Sequence, residues 1–481
     1  MKSKKPVEKF SGWTTLFILS FVGLIIMFDE TMILPAIPDF ISQFGISYSA
    51  SSWLLSAYII AAAVMTPIAG KMSDIYGKKR VLLTVMAVYI VGVVLGRFAH
   101  DFEPMLLARL LQGVGLAVFP IAFGIIRETL PMNRFSIGQT IFGAMFPAGA
   151  VIGLVGGAII IQDYGWQATF LAILPVSIAL WLAIFKFVKV PSESGKVKQQ
   201  KIDKSIDFAG IITLAATVTM FLSGITLLEA KDDISLVTGL FIASGISLAI
   251  FIVVERRAKS PLLNLELMRN KSFLPPTVIL LLTFLSMFMV YLTVPVMVRS
   301  PEPLGFGGDA VDVASVQLPF MAVFLVGTVM SGFILNRIRN TRLVLIGTII
   351  STAGFLLLLM SHSTSDMVSI GLTVIAVGLS LCMTGGFNTI LTSVPPQFVG
   401  IALGMTMLLN LIGMSTGPAV AGILQESHQA SVEGFEGTFP TQDAYNLIFM
   451  TAAAMSTVSL MLSLKLATSK KSDSGKHGNM H

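Results

Sequence analysis

The chain has 481 residues, of which 54% are hydrophobic and only 12% are charged, and its formal net charge is +6. Soluble domains average about 25% charged residues, so this composition excludes an ordinary soluble protein and predicts an all-α integral membrane protein. The single cysteine, Cys382, cannot form an intrachain disulfide. No phosphate-binding loop, zinc-ligand cluster or Ser/His/Asp pattern occurs, so ATP-driven transport and enzymatic hydrolysis lose support, and neither a cofactor nor a metal is expected.

The predicted elements are fourteen apolar windows with few or no charges, each long enough to cross a bilayer as a helix. In chain order they are 14–37, 53–70, 81–98, 105–126, 137–161, 168–188, 208–228, 236–254, 273–298, 313–335, 343–360, 367–387, 398–424 and 445–466. The run at the N-terminus lacks a small-residue cleavage site, so we interpret it as a retained first span.

Positive charges are distributed unevenly when these windows are threaded alternately across a bilayer. Of the 32 Lys and Arg residues, only Arg97, at the end of its window, and the loop residues Lys231 and Arg299 fall on one side, and Arg109 falls well inside a window. Lys and Arg collect in short cytoplasmic loops, so the other side, which holds both termini, is predicted to be cytoplasmic. Charge parity alone does not separate fourteen spans from twelve. Contact with the lipid bilayer of the plasma membrane explains the basic charge better than nucleic acid does.

An internal repeat supports the larger number of spans. Residues with the same spacing recur 262 positions apart in the two halves of the chain. They are Gly70, Asp74, Arg80 and Gly138, which correspond to Gly332, Asn336, Arg342 and Gly400. The repeat predicts two six-helix bundles in parallel orientation with two extra helices inserted between them.

The predicted organisation therefore has seven parts. They are a cytoplasmic N-terminus at 1–13, an N-terminal six-helix bundle at 14–188, a basic linker at 189–207, two inserted helices at 208–254, a cytoplasmic loop at 255–272, a C-terminal six-helix bundle at 273–466 and a polar tail at 467–481.

Three ionisable residues lie at membrane depth. Asp29 and Glu30 fall in the distal half of the first span, and Arg109 falls at a similar depth in the fourth. Charges at that depth are costly and usually face a bundle interior or a water-filled path, so the three are candidates for proton coupling. Adjacent helical residues point about 100° apart, so Asp29 and Glu30 face different surroundings. A fixed structural ion pair with Arg109 is the alternative.

The loop between the second and third spans carries a motif with a mechanism. Its residues are Gly70, Asp74, Gly77, Lys78, Lys79 and Leu82. They resemble the signature G-x-x-x-D-x-x-G-[RK]-[RK]-x-x-L of the major facilitator superfamily, except that position 75 is Ile where the family usually has a basic residue. The resemblance implies a loop that gates the cytoplasmic side, and a plain structural turn is the alternative.

Two further patterns are similar to this family. In the fourth span, Arg109, Gln112, Gly113 and Gly115 match R-x-x-Q-G-x-G. In the first span, Asp29, Thr31, Ala36 and Pro38 match the segment L-D-x-T-[IV]-x-x-x-A-[LI]-P, so the span resembles the fourteen-helix drug/proton antiporter branch. Segments 164–175 and 255–273 are also similar to that branch. The resemblance implies that Asp29 is the coupling acid, and Glu30 is an addition particular to this chain.

The fifth span departs from the antiporter pattern G-P-x-x-G-G. Gly149, Gly153 and Gly157 nevertheless form a ridge of small residues, and Gly413 and Gly417 form a comparable arrangement in the thirteenth span. Ordinary helix packing and a specific antiport role both fit these glycines.

Several polar or soft side chains are candidates for lining a substrate cavity, with packing as the alternative. They are Gln112, Met287, Met289, Tyr291, Thr384 and Asn388.

The sequence thus predicts a secondary transporter, acting as a monomer, that exports amphipathic or cationic small molecules in exchange for protons. Acids in an apolar cavity suit both a proton and a lipophilic cation. A proton-coupled symporter or uptake permease for a small metabolite is one alternative. A non-transporting receptor or scaffold built on a transporter fold is another.

Overall fold

The computed structural model describes residues 10–46, 48–190, 207–229, 233–258, 261–263, 265–270, 272–308, 310–335, 337–395, 398–434 and 438–476. The predicted linker at 189–207 lies outside these ranges except at its ends. The predicted tail at 467–481 is described only up to residue 476.

The described residues are almost entirely helical. The α-helices are α1 (Phe10–Met32), α2 (Ile37–Phe44), α3 (Tyr48–Tyr76), α4 (Lys78–Arg97), α5 (Phe102–Gly113), α6 (Val118–Thr129), α7 (Met132–Tyr164), α8 (Gln167–Phe187), α9 (Phe208–Glu229), α10 (Ile234–Arg257), α11 (Leu265–Arg269), α12 (Leu274–Arg299), α13 (Ala310–Leu335), α14 (Asn340–Met360), α15 (Ser365–Ser393), α16 (Val399–Ser427) and α17 (Gln442–Lys476). A short antiparallel pair, β1 (Gln429–Ala430) and β2 (Phe439–Pro440), connects α16 to α17.

Within the described part of the chain, fourteen helical segments are long and apolar enough to cross a membrane. The fourth consists of α5 and α6, joined by the 3-10 turn Val114–Ala117. A chain in hydrocarbon must satisfy its own backbone hydrogen bonds, and long apolar helices do so without help from water. The predicted all-α membrane architecture and its count of fourteen spans are confirmed.

The chain divides into two compact units. The first holds α1 to α8, with residues 207–219 of α9 and its approach, residues 244–264 and residues 395–408. The second holds residues 220–243, 265–394 and 409–481. The same helix pairs pack inside each unit: α3 contacts α5 and α4 contacts α8 in the first, while α13 contacts α15 and α14 contacts α17 in the second. This correspondence is what the sequence repeat predicts.

The ridge of glycines on α7 brings that helix into close contact with α1. A Cβ at Gly149 would overlap the Leu24 carbonyl, one at Gly153 would overlap Phe28, and one at Gly157 would lie 2.8 Å from the Met32 Cα atom. The contacts advance in the same direction along both helices, so α1 and α7 run parallel, as the first and fifth spans of an alternating bundle must. Thr31 adds a hydrogen bond from its hydroxyl to the Ala150 carbonyl at 2.9 Å.

The second unit repeats this device. Gly413 on α16 lies against the Leu281 carbonyl of α12, and Gly417 lies against the Leu285 carbonyl and the Met289 nitrogen. These contacts also advance in parallel. The glycines in both spans therefore serve close helix packing, which is driven in membranes by van der Waals contact rather than by hydrophobic exclusion.

Replacing one glycine of the α7 ridge should destabilise the first unit. We expect Gly153→Ala to lower the free energy of unfolding by about 1 to 3 kcal/mol, because its methyl group would overlap the backbone of α1. Gly143→Ala on the same helix is the matched control, since nothing lies within 4 Å of a Cβ there. Thermal unfolding of the detergent-solubilised protein measures both, and equal stability of the two variants would contradict this account of the ridge.

Candidate functional site

The first candidate site is the buried pair of Asp29 on α1 and Arg109 on α5. Both side chains are fully buried, and the Arg109 Nη1 atom lies 3.7 Å from the Asp29 Oδ2 atom. Neither Asp29 carboxylate oxygen accepts a hydrogen bond from any described residue. The pair is therefore held by charge attraction at a separation too long for a hydrogen bond.

Arg109 is fixed by groups other than the Asp29 carboxylate. Its Nε donates to the Leu54 carbonyl at 3.2 Å, and its Nη1 donates to the Gln112 Oε1 at 2.8 Å and to the Asp29 backbone carbonyl at 3.4 Å. The guanidinium also lies over the Tyr58 ring, 4.4 Å from its centroid, where the negative face of the ring attracts a cation. The arginine would keep this position if the Asp29 carboxylate lost its charge.

The neighbours of Arg109 connect four spans. The Gln112 Nε2 atom donates a hydrogen bond to the Gly92 carbonyl of α4 at 3.3 Å. The Tyr58 hydroxyl donates to the Ile26 carbonyl of α1, also at 3.3 Å. Gly113 allows α5 to approach α3 so closely that a Cβ there would overlap the Tyr58 carbonyl. The pattern R-x-x-Q-G thus supplies the cation, its orienting amide and the glycine that permits the crossing.

Glu30 lies next to this pair but is in a different environment. Its side chain is partly exposed, whereas Asp29 is fully buried. Its Oε2 atom is nevertheless shielded and has no hydrogen-bond partner among the described residues. Consecutive positions of α1 therefore carry one fully buried acid, Asp29, and one partly exposed acid, Glu30.

The second candidate site is the signature loop at the end of α3. The Asp74 Oδ2 atom accepts a hydrogen bond at 3.2 Å from the backbone N–H of Ile401, in the first turn of α16. The Asp74 Oδ1 atom lies 3.3 Å from the Lys78 Nζ atom, which also contacts Glu128 at 2.8 Å. A carboxylate at a helix N-terminus is favoured because the backbone dipoles point their positive ends toward it.

Two glycines allow α3 and α16 to meet at this loop. A Cβ on Gly70 would overlap the Gly400 carbonyl, and a Cβ on Gly400 would overlap that of Gly70 and lie 2.8 Å from Asp74. Gly77, which precedes α4, has a φ of +98°, a conformation that side chains other than glycine rarely adopt. The spacing of the signature is therefore set by one helix crossing and one tight turn.

The basic residues of the loop have separate partners. Lys78 is buried between the two acids, whereas Lys79 donates to the Phe185 carbonyl of α8 at 2.8 Å. Asn336, the counterpart of Asp74 in the sequence repeat, lies outside the described residues.

The candidate cavity residues are divided between the two units. Gln112 belongs to the Arg109 network described above. In the second unit, Met289 packs against Gly417, the Thr384 hydroxyl accepts from Ser331 at 2.6 Å, and Asn388 donates to Asn340 at 2.9 Å. Of the remaining two, Met287 is buried, and the ring of Tyr291 lies 5.4 Å from that of Phe320.

Sequence reasoning missed several partners that matter here. Tyr58 lies in an apolar window with no motif to mark it, and Glu128 lies at the end of the fourth span. Lys71 occupies a variable position of the signature, yet its Nζ donates to the Pro261 carbonyl at 2.6 Å. An acid or a lysine at the end of an apolar window was the available signal for Glu128 and Lys71. Among the described residues, no group of three or more His, Cys, Asp and Glu could hold a metal ion.

The chain matches one protein family and several curated relatives. The family model described as "Major Facilitator Superfamily" matches residues 19–418 and, in a second overlapping match, residues 279–479. The chain is 26% identical over 404 residues to "Multidrug resistance protein 3" of Bacillus subtilis, covering 82% of this chain and 76% of that protein. It is 24% identical over 424 residues to "Tetracenomycin C resistance and export protein" of Streptomyces glaucescens, covering 87% and 77%.

A solved structure agrees with the fold. The crystal structure of the human organic anion transporter MFSD10 (TETRAN) superposes with a TM-score of 0.71, covering 96% of this chain and all of that one, at 14% identity. Identity that low supports the fold alone. Together with the family match, the fourteen spans and the internally repeated helix pairing, it leads to one conclusion: this chain is a multi-pass membrane transporter, not an enzyme, and belongs to the major facilitator superfamily.

Proposed function

We propose that this transporter acts as a monomer in the plasma membrane, with both termini cytoplasmic, and exports amphipathic or cationic small molecules in exchange for protons. Its relatives include multidrug resistance and export proteins, which supports export as the direction of transport and a broad range of substrates. The side-chain chemistry of the first unit supports the proton as the coupling ion.

The observation that carries the proposal is the unsatisfied Asp29 carboxylate. It is fully buried, its ion pair with Arg109 spans 3.7 Å, and neither of its oxygens accepts a hydrogen bond within the described residues. A buried acid without donors is stabilised in its charged form only by Arg109. A proton on Asp29 removes the charge at the acid without displacing any hydrogen bond, so loading requires no rearrangement of neighbours.

Arg109 stays in place whether or not Asp29 carries a proton. Because Leu54, Gln112 and Tyr58 hold the guanidinium, protonation of Asp29 leaves a cation in place that repels a second cation. Binding of a proton and binding of a cationic substrate near Glu30 thereby oppose each other. Opposed binding of two solutes at one site is the requirement for antiport.

The signature loop is proposed as the gate on the cytoplasmic side. Its crossing joins α3 to the first turn of α16 through Asp74, Gly70 and Gly400. Opening that crossing would remove the N–H partner of Asp74 while Lys78 stays four residues away on the adjoining helix. When the gate opens, Asp74 would therefore keep its ion pair with Lys78 and lose only its hydrogen bond to α16.

Transport direction is tested in proteoliposomes with an imposed proton gradient. We expect a lipophilic cation to accumulate on the side from which protons flow, because the two cross the membrane in opposite directions. The proton flux should depend on the presence of the substrate. Movement of both in the same direction would indicate a symporter or uptake permease. Absence of substrate-dependent proton movement across a panel of cations, acids and neutral drugs would indicate a receptor or scaffold.

Removing the charge of Asp29 should abolish coupling. We expect Asp29→Asn to insert into the membrane normally but to lose proton-driven transport, because an amide cannot bind and release the proton. The matched control is Asp101→Asn, an exposed acid that precedes α5 in the same unit. Transport by Asp29→Asn with an unchanged pH dependence would reject Asp29 as the proton site.

Changes at Glu30 and Arg109 should affect the substrate range and the coupling, respectively. We expect Glu30→Gln to narrow the range of cationic substrates, since it removes the accessible charge, while Glu103→Gln serves as an exposed acid control. Arg109→Ala should impair coupling more than substrate binding. Competition binding at several pH values separates these effects. If only Glu30→Gln changes the pH dependence, then Glu30 is the coupling acid and the two roles are reversed.

Neutralising Asp74 should slow the cycle. We expect Asp74→Asn to reduce turnover by roughly an order of magnitude, because Lys78 loses one partner while remaining buried. Asn336→Ala, at the corresponding position of the repeat, should matter less since a neutral amide makes weaker bonds than a carboxylate. Initial transport rates at matched protein levels measure both, and equal losses would contradict the expected asymmetry.

A further inference from the structure

A second group of buried charges lies beside the signature loop and has no part in the function described above. Glu255, near the end of α10, is 3% exposed, and its Oε1 atom accepts a hydrogen bond from the Leu263 N–H. Lys71, on α3, is 5% exposed and donates to the Pro261 carbonyl of the same short segment. Segment 261–263, which follows the inserted helix pair, is therefore held from two sides by buried charged side chains.

A third charge completes this group. Asp207 precedes α9 and accepts from the Gly210 N–H at 2.9 Å. A Cβ on Gly210 would lie 2.5 Å from the Asp207 Oδ2 atom and 2.9 Å from the Glu255 Oε2 atom, so the two carboxylates face the same spot. Lys71 is the cation that interacts electrostatically with both acids. The start of α9, the end of α10 and the loop end of α3 thus meet in one charged cluster.

The position of Lys71 on α3 connects this cluster to the gate. Gly70 and Asp74 are four residues apart, so they share one face of α3, and that face meets α16 at Gly400 and Ile401. Lys71 follows Gly70 and points about 100° away from it. One turn of α3 is therefore held by α16 on one face and by the inserted pair on another.

We propose that Lys71 and Glu255 are positioning residues, through which the inserted helices α9 and α10 hold the signature-loop end of α3 in register with α16. The two extra spans then serve as a fixed support against which the Gly70–Gly400 crossing closes. The support acts on α3 and not on the substrate. This inference assigns a role to the inserted helices and uses the gate of the proposed function, but not its proton chemistry.

The charges predict an ordered set of variants. Lys71→Met leaves Asp207 and Glu255 facing each other without their cation, and Glu255→Ala removes the acceptor for the Leu263 N–H. Glu255→Gln keeps an acceptor for that N–H and offers an amide donor to Asp207. In the double variant Lys71→Met with Glu255→Gln, only one acid remains charged, so part of what Lys71→Met loses should return.

Cysteine labelling measures whether the crossing has loosened. The chain has a single cysteine, so Cys382→Ser gives a background without cysteines. Ser73, 1% exposed, lies between Gly70 and Asp74 in the chain and becomes the reporter as Ser73→Cys. Ser177, which is fully buried on α8 of the same unit, becomes the control reporter as Ser177→Cys. Labelling by a maleimide needs neither substrate nor proton gradient.

We expect Lys71→Met and Glu255→Ala to raise the labelling rate of Ser73→Cys by about fivefold or more, since each strands a buried polar group. The rate at Ser177→Cys should not change. Glu255→Gln and the exposed control Arg256→Met should stay near the parent, and the double variant should label more slowly than Lys71→Met alone. In transport assays, the two disruptive variants should lower the maximal rate several-fold with little change in KM.

Two results would overturn the proposal. One is that Ser73→Cys remains protected in Lys71→Met and Glu255→Ala. The other is that both reporters become exposed equally, since that indicates general loosening of the unit. Labelling is measured without transport, so failure of the proton antiport hypothesis would leave the result readable, and failure of the labelling prediction would leave the antiport hypothesis standing.

Discussion

The interaction on which the first unit depends is the burial of two opposite charges, Asp29 and Arg109, among apolar helices. Asp29 on α1 and Arg109 on α5 are both fully buried, so each charge needs compensation inside the protein. Around this pair, Gly113 lets α5 approach α3 and Gly153 lets α7 approach α1, because both positions lack a side chain where backbones cross. Close packing and charge burial are thus parts of one requirement: the pair is tolerable only where neighbouring backbones exclude lipid.

The second unit has the same helix pairing but different polar chemistry. Its helices are joined by hydroxyl contacts, such as Thr348 with Ser463 and Thr352 with Ser456, both between α14 and α17. Interhelical hydrogen bonds of this kind contribute about 0.6 kcal/mol on average in membrane proteins and involve no net charge. A unit held by such bonds does not respond to a proton in the way that a buried carboxylate does. Among the described contacts, the buried ion pairs Asp29–Arg109 and Asp74–Lys78 lie in the first unit, whereas these hydroxyl contacts lie in the second.

Much of the fold can be predicted from the sequence. The length of an apolar window shows whether it can span the bilayer, and the spacing of glycines shows where helices can cross closely. Asp29, Arg109 and Gln112 could be brought together because charges at membrane depth have few possible partners. Tyr58 over Arg109, and Lys71 beside Glu255, could not be predicted. Most of these spans are apolar on all sides, so no amphipathic pattern marks which face is turned inward. The rotation of each helix, and with it the choice of partner, is decided by three-dimensional packing.

The signature loop illustrates how such a molecule can have discrete states. Asp74 uses one oxygen for the first turn of α16 and the other for Lys78, so its two contacts belong to different structural elements. If the proposed gate opens by separation of α16, the first contact is lost and the ion pair with Lys78 remains. An intermediate separation gains neither a good N–H bond nor access to water, so it is the least favourable arrangement. Packed helix interfaces are bistable rather than continuously deformable, and two discrete arrangements of this crossing would meet the physical requirement for alternating exposure of a site.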